Sequence, residues 1–172
     1  MKLPKFFKSF TERKAFAKAF TLIELIIVVG IISILTAAAL PSFGTFADRR
    51  IFQNNVDEFA NQIRDVRSKA IAGATNGGVK ANWKITATNS SNAYSLGYIP
   101  TSGAVEENLV SKTLSGSGVT FSCTNCKVEF ERLTGKRLSG TSGSSQDIAI
   151  AYKSEQRTIK IYETGKVVIT NP

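Results

Sequence analysis

An α+β architecture, a long N-terminal α-helix packed on a C-terminal antiparallel β-sheet domain, follows from three features of this 172-residue sequence. An almost unbroken apolar run occupies residues 20–40. A helical apolar stripe comes next, with Phe52, Val56, Phe59, Ile63, Val66 and Ala70 spaced 4, 3, 4, 3 and 4 apart. From Val79 the period falls to two, and short alternating runs separated by Ser/Gly/Thr turns continue to the end.

The apolar run sets the length scale. Its 21 residues, at a helical rise of 1.5 Å, give about 31 Å, close to the ~30 Å hydrocarbon core of a bilayer. The charge is distributed to match. Residues 1–19 hold six basic side chains against Glu12, so +5 of the formal +9 lies just before the run, and the remaining residues hold +4. A basic flank of this kind marks the cytoplasmic side of a membrane helix. A secretory signal peptide competes for the segment, because "TAAAL" offers small residues for cleavage, but its apolar core spans only ~7–15 residues. An ordinary single-pass anchor accounts for everything except Glu24. A carboxylate inside a bilayer costs on the order of 2–3 kcal/mol, so it either snorkels to the interface or has a partner.

Those residues carry a resemblance. "AFTLIELIIVVGIISILTAAALPSF" resembles the N-terminal segment of type IV prepilins and of type II secretion pseudopilins: a basic leader, a small residue, Phe, Thr-Leu-Ile-Glu-Leu, a further apolar run and a Pro. The match covers roughly residues 14–43. The family usually has Gly before the Phe, and this chain has Ala19. The resemblance implies a type IV pilin-like fold and a cut between Ala19 and Phe20. The enzyme it implies is a prepilin peptidase, which also N-methylates Phe20. Glu24 is then implied to pair with the Phe20 ammonium of a neighbouring subunit, setting register during assembly. The implied partners are that enzyme, other pilins or pseudopilins in a filament, and the inner membrane before assembly, with the β domain extracytoplasmic. No cofactor is implied.

The expected organisation is a basic leader (1–19), a membrane and assembly helix (20–43), an amphipathic half-helix (44–75) and a β-rich domain (76–172). Pro41 removes one backbone donor inside a helical pattern, so a kink is expected there rather than an end. Gly73, followed by "TNGG", is expected to stop the helix. About seven strands are expected in a single sheet: 79–85, 94–98, 119–123, 128–130, 148–152, 158–162 and 166–170. "VRSKAIAGATNGG", "FERLTGKRLSG" and "IKIYETGKVVI" resemble, more weakly, the GspH/FimT-type minor pilins and pseudopilins.

Cys123 and Cys126 lie between two strand-like runs, and a turn brings such positions within disulfide range. A structural disulfide is the leading reading. Reduced thiols and a redox Cys-x-x-Cys remain alternatives, although the redox motif needs a helix N-terminus to lower a thiol pKa.

The chain has no His, which excludes Ser-His-Asp and Cys-His nucleophiles and imidazole metal sites. An enzyme is therefore not expected, and no metal site. Two function classes stay in view. One is a structural filament subunit. The other is a DNA-uptake minor pilin using Arg157, Lys160 and Lys166, with Arg132, Lys136, Arg137 and Lys153 near them and Tyr152 and Tyr162 for stacking. Glu129, Glu131, Glu155 and Glu163 are interleaved with these cations, so solvated hairpin edges explain the same residues.

Overall fold

The computed structural model describes residues 20–103 and 105–171, with side chains for all of these except 38–43 and 45. The basic leader and Ala19 lie outside the described residues. In chain order the elements are α1 (Leu22–Ile71), β1 (Thr75–Asn76), β2 (Val79–Ala87), β3 (Ala93–Pro100) and β4 (Glu107–Thr113). They are followed by β5 (Val119–Ser122), β6 (Lys127–Phe130), β7 (Gln146–Tyr152), β8 (Glu155–Ile161) and β9 (Val167–Thr170). The helix is assigned continuously through Pro41, so the proline does not end it. Two compact units meet between Phe43 and Gly44.

In the C-terminal unit the helical stripe forms as its spacing requires. Phe52, Val56, Phe59, Ile63, Val66 and Ala70 are each at most 1% exposed. They pack against two sheets, where one was expected. The first has the order β1-β2-β3-β4, with β6 also paired to β2, and the second has the order β5-β7-β8-β9. All of these strand pairs are antiparallel. Phe59 shows how one helix serves both sheets. Its ring lies 5.2 Å from that of Tyr94 in β3 and 4.7 Å from that of Phe121 in β5.

Alternation along a strand tells which face is buried but not which strand is the neighbour, and this is why one sheet was expected. The switch between sheets falls at Cys123-Thr124-Asn125-Cys126, because β5 pairs with β7 whereas β6 pairs with β2. The two runs flanking the cysteines are not paired with each other. Cys123 and Cys126 form a disulfide, with Cα atoms 5.3 Å apart, across this crossover. Two further strands were not expected. β1 has only two residues, and β4 has residues too exposed to alternate.

The end of the helix is built in detail. Gly73 has φ 63°, its N–H donates to the Ala70 carbonyl, and the Ala74 N–H reaches back to the Lys69 carbonyl. This is a Schellman stop, which needs a residue free to adopt left-handed φ. The Leu133 N–H donates to the Ala70 carbonyl at 2.8 Å, and Arg132 Nη2 donates to the Gly73 carbonyl at 3.2 Å.

Arg67, one turn earlier, holds two separate turns. Its Nε donates to the Gly135 carbonyl at 3.2 Å and its Nη2 to the Thr164 carbonyl at 3.1 Å. Both turns read Thr-Gly-Lys, residues 134–136 and 164–166. Gly165 has φ 78°, and a Cβ there would collide with Arg67 Nε and the Gly135 carbonyl. The guanidinium fork reaches both carbonyls at once, which an ammonium could not do in the same geometry.

On the outer face of the first sheet Lys84 is only 4% exposed. Its Nζ donates to Glu106 Oε2 at 2.8 Å, and Lys127 Nζ donates to Glu106 Oε1 at 2.7 Å. One carboxylate thus neutralises a buried and a half-exposed lysine. The two lysines, Lys127 foremost, lower the Glu106 pKa from 4.5 to about 2.

Two outcomes are expected. Arg67→Ala leaves two carbonyls without their donor and costs about 2 kcal/mol in thermal or denaturant unfolding, with Arg67→Lys recovering less than half. Because the folded pKa of Glu106 is depressed, its contribution is present above 4.5 and is lost as pH falls through about 2. Unfolding midpoints of the parent chain and of Glu106→Gln should therefore differ near neutrality and converge across that acid range.

Candidate functional site

The N-terminal unit presents the segment that the sequence singled out. Thr21 is the N-cap. The Leu25 N–H donates to the Thr21 carbonyl at 3.2 Å, and the Glu24 N–H donates to Thr21 Oγ1 at 3.3 Å. Thr21-Leu22-Ile23-Glu24 therefore has the spacing of a capping box, with Glu24 at the third helical position and apolar Phe20 just before the cap. A carboxylate in the first turn also meets the positive end of the helix dipole. Glu24 thus has a local reason to be where it is, at the start of the helix. The Thr-x-x-Glu signal was present in the sequence.

Beyond the cap the helix is apolar all round and uncovered. Every described side chain from Phe20 to Ala37 is exposed, among them Phe20 at 79%, Leu22 at 76% and Ile34 at 72%. The two hydroxyls are satisfied inside the helix: Ser33 Oγ donates to the Val29 carbonyl and Thr36 Oγ1 to the Ile32 carbonyl. Glu24 is the one ionisable side chain in residues 20–37. Twelve large apolar side chains stand open between Phe20 and Leu35. At ~1.5–3 kcal/mol for each one buried, covering them is worth on the order of 20–30 kcal/mol.

Among the described residues no helix is long and apolar enough to cross a membrane. The unbroken stretch with described side chains, residues 22–37, rises about 24 Å against a ~30 Å hydrocarbon core. Of the other residues expected to act here, Ala19 lies outside the described residues, and Pro41 has a helical backbone but no described side chain.

The cations considered for DNA lie in the C-terminal unit and are not gathered on one face. In β8, Arg157 and Lys160 are three residues apart, so they project to opposite faces of the sheet. Lys160 is 3.8 Å from Asp147, and Lys153 is 2.7 Å from Asp48. Arg137 is 5% exposed and donates to the carbonyls of Ser139, Thr141 and Ser144, so its guanidinium organises the 139–145 loop. Arg132 is spent on the helix end. Lys136 and Lys166 are exposed.

Residues 15–40 match a family model described as the prokaryotic N-terminal methylation motif. No curated protein matches the chain. Among solved structures the chain is similar to the type IV minor pilin FimU of Pseudomonas aeruginosa (strain PAO1), with 17% identity and a TM-score of 0.49 over 69% of this chain and 91% of that one.

Replacing Glu24 separates its place at the helix start from the assembly role that the sequence resemblance implies. Glu24→Gln keeps a capping-box side chain but removes the charge, whereas Glu24→Ala removes both. Membrane insertion of either variant should equal or exceed that of the parent, since a costly charge is gone. Incorporation into sheared filaments should fall for both. Normal incorporation of Glu24→Gln would show that the residue serves the helix start alone.

Proposed function

We propose that this chain is a minor pilin or pseudopilin, a structural subunit of a type IV pilus or type II secretion pseudopilus. The observation that carries this reading is the uncovered apolar helix from Phe20 with a single carboxylate in its first turn, lying inside a matched methylation motif. Such a helix needs either lipid or other helices around it. The inner membrane supplies the first before assembly, with the β domain on the extracytoplasmic side. Neighbouring subunits supply the second afterwards.

Cleavage between Ala19 and Phe20 removes the +5 leader and creates an α-amino group on Phe20, immediately before the Thr21 cap. The new ammonium and the Glu24 carboxylate are opposite charges at the same end of the helix. In a low-dielectric bundle each lowers the cost of the other when supplied by adjacent subunits. Pro41 belongs to this same assembly segment. The oxidised Cys123–Cys126 pair fits the extracytoplasmic side, where disulfides persist. The fold then works as a rigid β unit carried by a helix, and no catalytic step is assigned to it.

Co-expression with a prepilin peptidase tests the reading. Intact-mass analysis should show loss of the first 19 residues and an N-methylated Phe20. Ala19→Gly should be cut at least as fast, and a bulky or charged residue at that position should block cutting. A product starting after Ala37, Ala38 or Ala39 would instead identify a removed signal peptide and overturn the proposal.

A further inference from the structure

The crossover between the two sheets is fixed twice, once by sulfur and once by hydrogen bonds. Cys123 and Cys126, the only cysteines of the chain, are joined there. Beside them lies the Gln146 side chain of β7, 6% exposed. Its Nε2 donates to the carbonyls of Asn125 and Lys127, each at 2.8 Å, and its Oε1 accepts from Ser139 Oγ at 2.8 Å. One amide thus ties the second sheet to the crossover and to the start of β6. The Ala87 N–H donates to the Cys126 carbonyl at 2.9 Å, and Asn89 Oδ1 accepts from the Cys123 N–H at 3.2 Å. None of these bonds uses a sulfur atom, so each persists when the S–S bond is broken. A loop this short also gains least from covalent closure, because the chain-entropy benefit grows with loop length.

The two sulfurs differ in their surroundings. Both cysteines are half-buried and packed against the core. Cys123 in addition borders an open cavity of about 500 Å³. The cavity lies on the face of the second sheet away from the helix, where Ser122, Ala149 and Thr158 stand abreast on three strands. Their short side chains leave the space open. Cys126 is not among the described residues that border it. Access to one sulfur decides where a thiolate attacks a disulfide.

We propose that Cys123–Cys126 is a thiol–disulfide exchange site, opened at Cys123 by a dithiol reductant and closed again without unfolding, with Gln146 holding the crossover in both states. One thiolate of the reductant attacks Cys123 Sγ, the S–S bond breaks, and Cys126 leaves as a thiolate that takes up a proton. The second thiolate of the reductant then attacks the mixed disulfide. It forms the reductant's own disulfide and releases the Cys123 thiolate, which is protonated in turn. Two electrons and two protons pass to the protein, and the dithiol is oxidised. A disulfide oxidant drives the same steps backward. The redox state therefore changes how firmly the sheet junction resists unfolding, and leaves the path of the chain unaltered. This inference concerns the C-terminal unit and does not depend on the reading of the N-terminal helix.

The test uses the full-length chain in detergent micelles. After excess dithiothreitol at neutral pH, both cysteines should take up an alkylating label, read by intact mass. Protease resistance and the fluorescence of Trp83, the only tryptophan and a buried one, should stay as in the oxidised chain. Replacing the reductant with oxidised glutathione should abolish labelling. Cys126→Ser leaves the Cys123 thiol alone, and it should react with an aromatic disulfide severalfold faster than the Cys126 thiol of Cys123→Ser. Ser122→Trp, at an exposed position, crowds the cavity and should slow the Cys123 reaction severalfold. Gln146→Leu should be protease-resistant when oxidised and lose that resistance when reduced. Should it fail to fold even when oxidised, Asn89→Ala takes its place, with a severalfold faster cleavage of the reduced chain expected. Unfolding of the parent chain on reduction would overturn the proposal. So would labelling that requires denaturant, a Cys126 thiol as reactive as Cys123, or a reduced Gln146→Leu chain as resistant as the reduced parent.

Discussion

Phe59 and the stripe to which it belongs are the constraint on which the C-terminal unit depends. Neither sheet buries its inner face against the other alone. The six apolar residues from Phe52 to Ala70 lie between them, in one cluster with Trp83, Ile85, Tyr94 and Phe130 from the first sheet and Phe121, Ile148, Ile150 and Ile161 from the second. Loss of a large ring at Phe59 would open a cavity that touches both sheets, and such cavities typically cost ~3–5 kcal/mol. Everything peripheral follows from keeping this helix seated. The Schellman stop at Gly73, the Arg132 and Leu133 bonds to its last carbonyls and the Arg67 fork all act at its C-terminal turn.

The same assigned helix meets two different requirements along its length. From Phe52 onward one stripe is apolar and the other face is polar, which suits a helix with its own sheets beneath it. From Phe20 to Ala37 the surface is apolar on every side, which suits a helix whose surroundings come from other molecules. The two hydroxyls there are turned back onto the helix backbone, so no polar side chain but Glu24 asks for a partner. The proposed filament subunit needs both kinds of surface in one element.

Charge in the C-terminal unit is mostly internal in its work. Arg67, Arg132 and Arg137 each donate to backbone carbonyls that close turns, and Lys84 is held by Glu106. Lys153 and Arg49 pair with Asp48 and Glu155, which tie the β7–β8 turn to the helix within this unit. A sequence rich in Lys and Arg thus need not present a cationic surface. Folding has committed much of it to orphaned carbonyls and nearby carboxylates.

What the sequence determined by itself is what depends on residues near one another in the chain. The spacing of Phe52 to Ala70, the stop at Gly73, the apolar run after Phe20 and the period-two strands are local signals, and helix and strand geometry converts them directly into buried faces. The capping-box spacing of Thr21 and Glu24 was legible in the same way, because it lies within one helical turn. Tertiary structure alone decided the rest. It divided the strands into two sheets at Cys123–Cys126, because alternation names a face and not a neighbour. It sent Arg157 and Lys160 to opposite sides of β8, and it made Arg67 a support for turns 68 and 97 residues further along the chain. Those outcomes depend on which distant carbonyl, carboxylate or strand edge arrives beside a side chain, and no spacing within a single segment encodes that.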